Sequence, residues 1–251
     1  MNIASLNFRG LGMAATIKEI RDFVRVNAAS ILCVVETQVH KTRVEGLANT
    51  LGYDSAFAVS SSGRSGGLGI FWKNDINIEI LPYSQYHIDA VVSAPAMEKW
   101  RLTCVYGEAQ VRERHKTWDM LKYIKSSLDL PWLCIGDFNE VLHREEHDGV
   151  NERSNAQIAA FRETLDICGL SDLGYTGVPW TFEKRVAGGS FCRTRLDRAL
   201  ASASWCTRYP LAVVKHLTAA TSDHSPILLE FILCEHSVGK GGRLFRYEVM
   251  Y

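Results

Sequence analysis

The sequence predicts an α/β domain built on mixed and antiparallel strands, and three observations lead there. Apolar runs of strand length alternate with amphipathic helical segments. The alternation occurs twice, in two loosely similar halves that share no repeat at the level of residues. Between the halves lies a group of adjacent strand-like runs with no helical pattern, which reads as antiparallel sheet. At 251 residues the chain is long enough to bury a substantial core in a single domain.

In order along the chain, residues 1–7 form an apolar strand and 14–27 a helix with Ile17, Ile20, Phe23 and Val24 along one side. Residues 30–35 read as a buried strand, followed by a helix near 41–51. The glycine- and serine-rich run 60–69 reads as a hairpin loop, with strands near 67–72, 76–81, 88–93 and 100–106 after it. The second half brings an amphipathic helix near 112–126, a strand at 132–136 and a helix near 156–168. Strands near 191–199, 212–216 and 227–231 complete it.

Composition excludes several classes. No window approaches the roughly 20 apolar residues of a membrane span, and the N-terminus lacks a basic region leading into an apolar stretch. The expectation is a soluble intracellular protein, nuclear or cytoplasmic, with no membrane partner. The 7 cysteines include no Cys-x-x-Cys pair and no cysteine-histidine zinc spacing. Cys33, Cys104 and Cys134 sit inside apolar runs and read as buried thiols in a reducing compartment. Lysine plus arginine equals aspartate plus glutamate, 28 against 28, whereas a nucleic-acid binder usually carries a basic excess. Locally the balance differs: 183–198 and 111–125 are basic and 140–153 acidic. The 111–125 segment reads as a solvated helix face, while phosphate contact suits Arg193, Arg195 and Arg198, and Arg9 is a further candidate nucleic-acid contact.

Polar residues gather where apolar runs stop. The run PWLCIGDFNE at 131–140 delivers Asp137 and Asn139 at a strand end. Residues two apart share a strand face, so both would converge on one ligand while Ile135 faces the same way deeper in. Gly136 would admit a close backbone approach. A second cluster, Thr221, Ser222, Asp223, His224 and Ser225, precedes a strand. A histidine there suits acid/base work or charge stabilisation, given a carboxylate to hold its tautomer. Asn7 and Arg9, Glu36, and Asp197 lie at further such boundaries. Each also has an ordinary use: Asn7, Asp137 and Ser222 in turns, Glu36 as a helix cap, Tyr106 as an edge aromatic, Asp197 in a surface ion pair.

The order Asn7, Glu36, Tyr106, Asp137 with Asn139, Asp197, then Asp223 with His224 resembles the endonuclease/exonuclease/phosphatase superfamily over nearly the whole chain. The wording SLNFRGLG, VVETQ, VYGE, PWLCIGDFNEVLH, FRETLDICGLSDLGYTG, RLDRAL and SDHSPILLEF is similar to the endonuclease domain of plant LINE-type retrotransposons. The resemblance implies a DNase I-like α/β four-layer sandwich: two packed mixed or antiparallel β-sheets flanked by helices. It implies a Mg²⁺-dependent endonuclease, with Mn²⁺ able to substitute, that nicks DNA to leave 3′-hydroxyl and 5′-phosphate ends. Glu36, Asn7 and Asp223 would serve the metal, Asp137 would activate water, and Asn139 would hold the phosphate. His224, held by Asp197, would neutralise phosphate oxygens, and Tyr106 would donate its hydroxyl.

Two departures matter. Repair-type apurinic endonucleases commonly carry an acid two residues after the first Asn, where this chain has Arg9, as the retrotransposon branch does. The stretch Trp180 to Lys184 matches that branch's Thr-Trp-x-Asn block only loosely. Trp180 either stacks on a base or packs in the core. The domain is expected over 1–233, with a glycine-containing linker at 234–251. RLFRYEVMY there resembles the segment leading toward a reverse transcriptase module. A phosphoesterase of small molecules or lipid headgroups, and a decayed nucleic-acid-binding domain, are the competing readings.

Overall fold

The computed structural model describes residues 1–63, 66–95, 97–149, 152–185, 191–218 and 222–232. The expected linker at 234–251 and Thr221 lie outside the described residues. In chain order the first half runs β1 (Asn2–Asn7), α1 (Ala14–Asn27), β2 (Ile31–Val35), α2 (Lys41–Glu45), α3 (Ala48–Leu51), β3 (Ser55–Val59), β4 (Leu68–Trp72), β5 (Asn77–Ser84), β6 (His87–Ala94) and β7 (Met97–Tyr106). The second half runs α4 (His115–Ser127), β8 (Trp132–Asp137), β9 (His147–Asp148), α5 (Asn155–Cys168), β10 (Leu170–Asp172), β11 (Thr176–Gly177), β12 (Phe182–Arg185), β13 (Phe191–Thr194), β14 (Asp197–Ser202), α6 (Ala203–Arg208), β15 (Val213–His216) and β16 (Ile227–Glu230).

Two mixed sheets carry the fold. A 7-stranded sheet has the order β11-β15-β16-β1-β2-β4-β3, and a 6-stranded sheet the order β10-β14-β8-β7-β6-β5. Alternate residues of β2, β7 and β8 send Ile31, Cys33, Leu102, Cys104, Leu133 and Ile135 into the space between the sheets. The opposite faces receive helices. Ile20 and Val24 of α1 and Val44 of α2 pack on one sheet. Trp118 and Leu121 of α4 and Phe161 and Leu165 of α5 pack on the other. The result is the expected four-layer sandwich, a DNase I-like fold. Among the described residues no helix is long and apolar enough to cross a membrane.

Local chemistry explains most boundaries. Helix α5 opens on a capping box between Ser154 and Gln157 and stops at Gly169, which takes a left-handed φ of 64°. The single helix expected at 41–51 is two, interrupted at Gly46, a poor helix former. The strand expected at 191–199 is also two. Thr181 Oγ1 takes the backbone N–H groups of Leu196 and Asp197, each at 2.8 Å, so the chain leaves the first ladder at Arg195 and enters another at Asp197. Helix α6 went unforeseen, although Ser202 caps it. It brings Trp205 against Trp100, Tyr209 and Phe231, closing one end of the inter-sheet core.

The reading of Cys33 and Cys104 as separate thiols is corrected. Their strands present them to each other across the two sheets, and they form a disulfide with Cα atoms 6.1 Å apart. Their sequence separation of 71 positions hid the pairing from sequence. Cys134, on the other face of its strand, is a buried thiol whose pKa burial pushes up.

Candidate active site

Four strand ends and two strand starts meet at one end of the sandwich. β1 ends at Asn7, β2 runs into Glu36, β7 ends at Tyr106 and β8 ends at Asp137. β14 begins at Asp197, directly opposite Asp137 in the ladder. Ser222, Asp223 and His224 enter β16 beside β1. Backbone bonds from Glu183 to Asp223 (2.8 Å) and from Ser225 to Thr181 (2.7 Å) tie this segment to β12.

Asp137 is the hub, only 1% exposed. Its Oδ2 accepts from Asn7 Nδ2 at 3.1 Å and lies 3.9 Å from His224 Nε2. Its Oδ1 accepts from the Asn139 backbone N–H at 2.8 Å. His224 Nδ1 lies 2.9 Å from Asp197 Oδ2, and Asn7 Nδ2 sits 3.5 Å from His224 Nε2. The Phe182 ring covers the imidazole, centroids 5.0 Å apart. Ser222 Oγ donates to the Asn7 carbonyl at 2.8 Å and accepts from the His224 N–H, locking histidine to asparagine.

Burial sets the electrostatics. Desolvation raises Asp137 to about 6, assisted by the Asp197 charge and opposed by His224 and by hydrogen bonds from Asn139 and Asn7. Burial alone would lower His224, but Asp197, by charge and hydrogen bond, and then Asp137 lift it to about 9. An imidazolium therefore sits between two buried carboxylates. Tyr106 is also raised, by burial first and then by Glu36 and Asp137, so its hydroxyl keeps its proton.

Donor atoms of Asp137, Asp197 and His224 lie within 4.8 Å of one another, all buried, a grouping able to hold a cation. Hydrogen bonds within the row already engage these atoms, however, His224 with Asp197 and Asn7 with Asp137. The more open oxygens suit an ion better. Glu36 and Asp223 side chains are 16% and 22% exposed, and Asp223 Oδ1 is buried with no hydrogen-bond partner. With Asn7 they make an all-oxygen donor set, the kind hard cations take.

Convergence of Asp137 and Asn139 arises differently from the strand alternation expected. The strand stops at Asp137, Asn139 takes φ 55°, and its Nδ2 donates to the Gly107 carbonyl at 2.8 Å. Glu36 caps no helix; His40 caps α2. Asn7 does form a turn, its Oδ1 accepting from Arg9 N at 3.2 Å, while its amide reaches Asp137.

The arginines part company. Arg198 is wholly buried and Arg195 nearly so, each paired with both Glu146 and Asp172 at 2.6–2.9 Å. Arg195 also lies over Tyr175, 4.5 Å from the ring centroid. The structure thus corrects the expected phosphate contact for both: their guanidiniums are neutralised inside the protein. Arg193 reaches solvent beside Glu183 and over Phe191. Trp180 is half-buried and belongs to no core cluster, against its core reading. Thr181, Phe182 and Ser222, which position the site, were missed or read as turn formers; their sequence signal is only adjacency to Trp180 and His224.

The sequence profile of the endonuclease/exonuclease/phosphatase family matches residues 1–224. The chain belongs to this family. A search of curated proteins finds no match. Among solved structures, the fold is similar to the endonuclease domain of TRAS1, a telomere-specific non-LTR retrotransposon, with TM-score 0.69 and 14% identity, covering 92% of this chain and 97% of that one. It is similar to an AP endonuclease from Archaeoglobus fulgidus, with TM-score 0.72 and 17% identity over 92% and 99% of the two chains. It is also similar to the 3′-5′ exonuclease NExo from Neisseria meningitidis, with TM-score 0.69 and 17% identity over 92% and 99%. At such identities the likeness shows the fold. Family membership makes this a hydrolase fold whose enzymes generally depend on a divalent metal.

Proposed function

We propose that this domain is a Mg²⁺-dependent endonuclease that nicks DNA, leaving 3′-hydroxyl and 5′-phosphate ends, as retrotransposon-type enzymes of the family would. The observation that carries this is the buried Asp137–His224–Asp197 row abutting Asn7. No packing need explains two desolvated carboxylates around one histidine at a strand-end rim.

Glu36, Asp223 and Asn7 are the residues to hold the metal, which when bound supplies charge neutralisation at the phosphate. Asp137, ionised above about pH 6, takes the proton of a water attacking phosphorus, and the P–O3′ bond breaks. His224, kept protonated by Asp197, places its charge against the phosphate oxygens as charge builds in the transition state. Asn139 uses one amide N–H on Gly107 and offers the other to the phosphate. Tyr106 keeps its proton and donates it toward the leaving 3′ oxygen. On the substrate side, Arg193 and the half-buried Trp180 stand on the β12–β13 flank of the site as candidate DNA contacts. A reverse transcriptase module in the parent element is the expected partner.

A phosphoesterase of small molecules is favoured by one observation, the balanced charge of 28 against 28 together with the internal neutralisation of Arg195 and Arg198. Nicking of supercoiled plasmid separates the two. Purified protein is expected to nick with Mg²⁺, to stop with EDTA, and to lose the activity in Asp137→Ala and His224→Ala. Folded wild-type protein that leaves the plasmid intact but hydrolyses a small phosphoester would overturn the nuclease reading.

A further inference from the structure

Arg9 stands between the two carboxylates to which the metal role has been given. Its Nη1 lies 2.8 Å from Asp223 Oδ2 and its Nε 3.8 Å from Glu36 Oε2. Gln38 Nε2 steadies the same carboxylate by donating to Glu36 Oε1 at 3.1 Å. The Arg9 backbone takes φ 47°, a left-handed conformation that costs a non-glycine residue energy, and the N–H bond to Asn7 Oδ1 holds it there. Its guanidinium rests over Phe182, 5.6 Å from the ring centroid, and that ring covers His224 on the same side of the site. The chain thus holds a cation whose side chain is 42% exposed beside both of those carboxylates.

We propose that Arg9 is an internal counter-cation that competes with the divalent metal for Glu36 and Asp223, so that metal entry requires its guanidinium to leave. This rests on the assignment of Glu36 and Asp223 to the metal. The competition is electrostatic. A positive charge held within about 4 Å of both carboxylates repels an entering divalent ion, and at the partly shielded dielectric of a protein surface its removal is worth at least about tenfold in affinity. An exit exists: Arg9 and Asp223 both line an open cleft of about 590 Å³, with Gly10, Gly12 and Gln38. A displaced guanidinium there remains close enough to meet a substrate phosphate.

The test is Mn²⁺ binding to the full chain, read from the electron paramagnetic resonance of free Mn²⁺. The variants are Arg9→Gln, Arg9→Asn, Arg9→Lys and Glu36→Gln. Asn tolerates the left-handed backbone, so it stands in should Gln fail to fold. The neutral variants are expected to bind at least about tenfold more tightly than wild type, with Arg9→Lys close to wild type. A second readout follows from linkage. Without metal the neutral variants melt below wild type, since two carboxylates lose their counter-charge, and saturating Mn²⁺ raises their melting temperature by more. Neutral variants that bind no more tightly, while Glu36→Gln weakens binding, overturn the competition and leave the metal assignment standing. Unchanged binding in Glu36→Gln removes the metal assignment and this inference with it.

Discussion

His224 Nδ1 lies 2.9 Å from Asp197 Oδ2, the two residues 27 positions apart and each buried. Asp197 is in turn directly opposite Asp137 in the β8–β14 ladder. The charge of His224 therefore depends on a carboxylate fixed by backbone pairing. Asp197→Asn keeps the shape and removes the charge. It is expected to drop the His224 pKa, to move the alkaline limb of the pH–rate profile to lower pH, and to lower kcat by about 10²–10⁴-fold with KM little changed. An unmoved alkaline limb in the variant would show that Asp197 does not sustain the imidazolium.

The pH dependence of wild type follows from the same pair. Activity should rise as Asp137 ionises through about pH 6 and fall as His224 loses its proton through about pH 9. Stability has the opposite sense on the acid side. Both groups hold their protons more tightly folded than unfolded. The His224 contribution is whole below its ordinary 6.5 and lost as pH rises through about 9. The Asp137 contribution is whole below 3.8 and lost through about 6. Between pH 4 and 6.5 the Asp137 loss is opposed by His216, whose imidazole is lowered by burial to about 4 and which gains stability as pH rises to its ordinary 6.5. The clear window is therefore pH 6.5 to 9.5, where metal-free protein should melt progressively lower, by about 3 kcal/mol from His224. Thermal melts across that range check it, and a melting temperature that rises with pH would refute the assignment.

Arg193 and Arg198, five residues apart, are expected to behave as different kinds of arginine. Arg198→Met leaves Glu146 and Asp172 each short of a partner inside the protein and should cost about 3–5 kcal/mol of stability. Burial alone would raise both acids; the arginines hold them below their ordinary values, so the penalty should shrink at low pH. Arg193→Ala touches only an exposed pair and should leave stability within about 0.5 kcal/mol. If Arg193 meets a phosphate, its loss lowers the salt slope of DNA binding by about one. Urea melts and a salt titration of binding separate the two residues.

What the sequence could convey depended on range. The strands and helices were visible because their apolar periodicity is local, and the strand-end positions of Asn7, Glu36, Asp137 and His224 were visible because each interrupts such a run. Charge partners were not. Arg195 and Arg198 look like a basic patch until Glu146 and Asp172 arrive from 23 to 52 residues away. Cys33 and Cys104 look like two thiols until the sheets stack. Thr181 gives no signal beyond lying next to Trp180, because it acts by accepting two backbone N–H groups, a role no residue pattern encodes. The Asp137–Asn139 spacing was legible, but for the wrong reason, since a turn and not strand alternation aims them.

Gly136 governs whether Asp137 is presented at all. It takes φ 146°, in the region side chains rarely adopt, and a Cβ built on it would fall 2.0 Å from the Val105 carbonyl oxygen of the neighbouring parallel strand. The close approach anticipated at this glycine is thus that of the protein's own backbone. Since β7 and β8 carry Tyr106 and Asp137 side by side, room for a methyl can come only from prying those strands apart. Gly136→Ala should destabilise by several kcal/mol, more than the roughly 1 kcal/mol typical of a point substitution. Any folded remainder should lose kcat more than KM, because Asp137 is displaced from Asn7 and His224 while the outer surface is untouched. Equilibrium unfolding with steady-state kinetics on the same preparation tests both parts. An alanine variant with wild-type stability would mean that β8 does not run as close to β7 as its 2.0 Å clash requires.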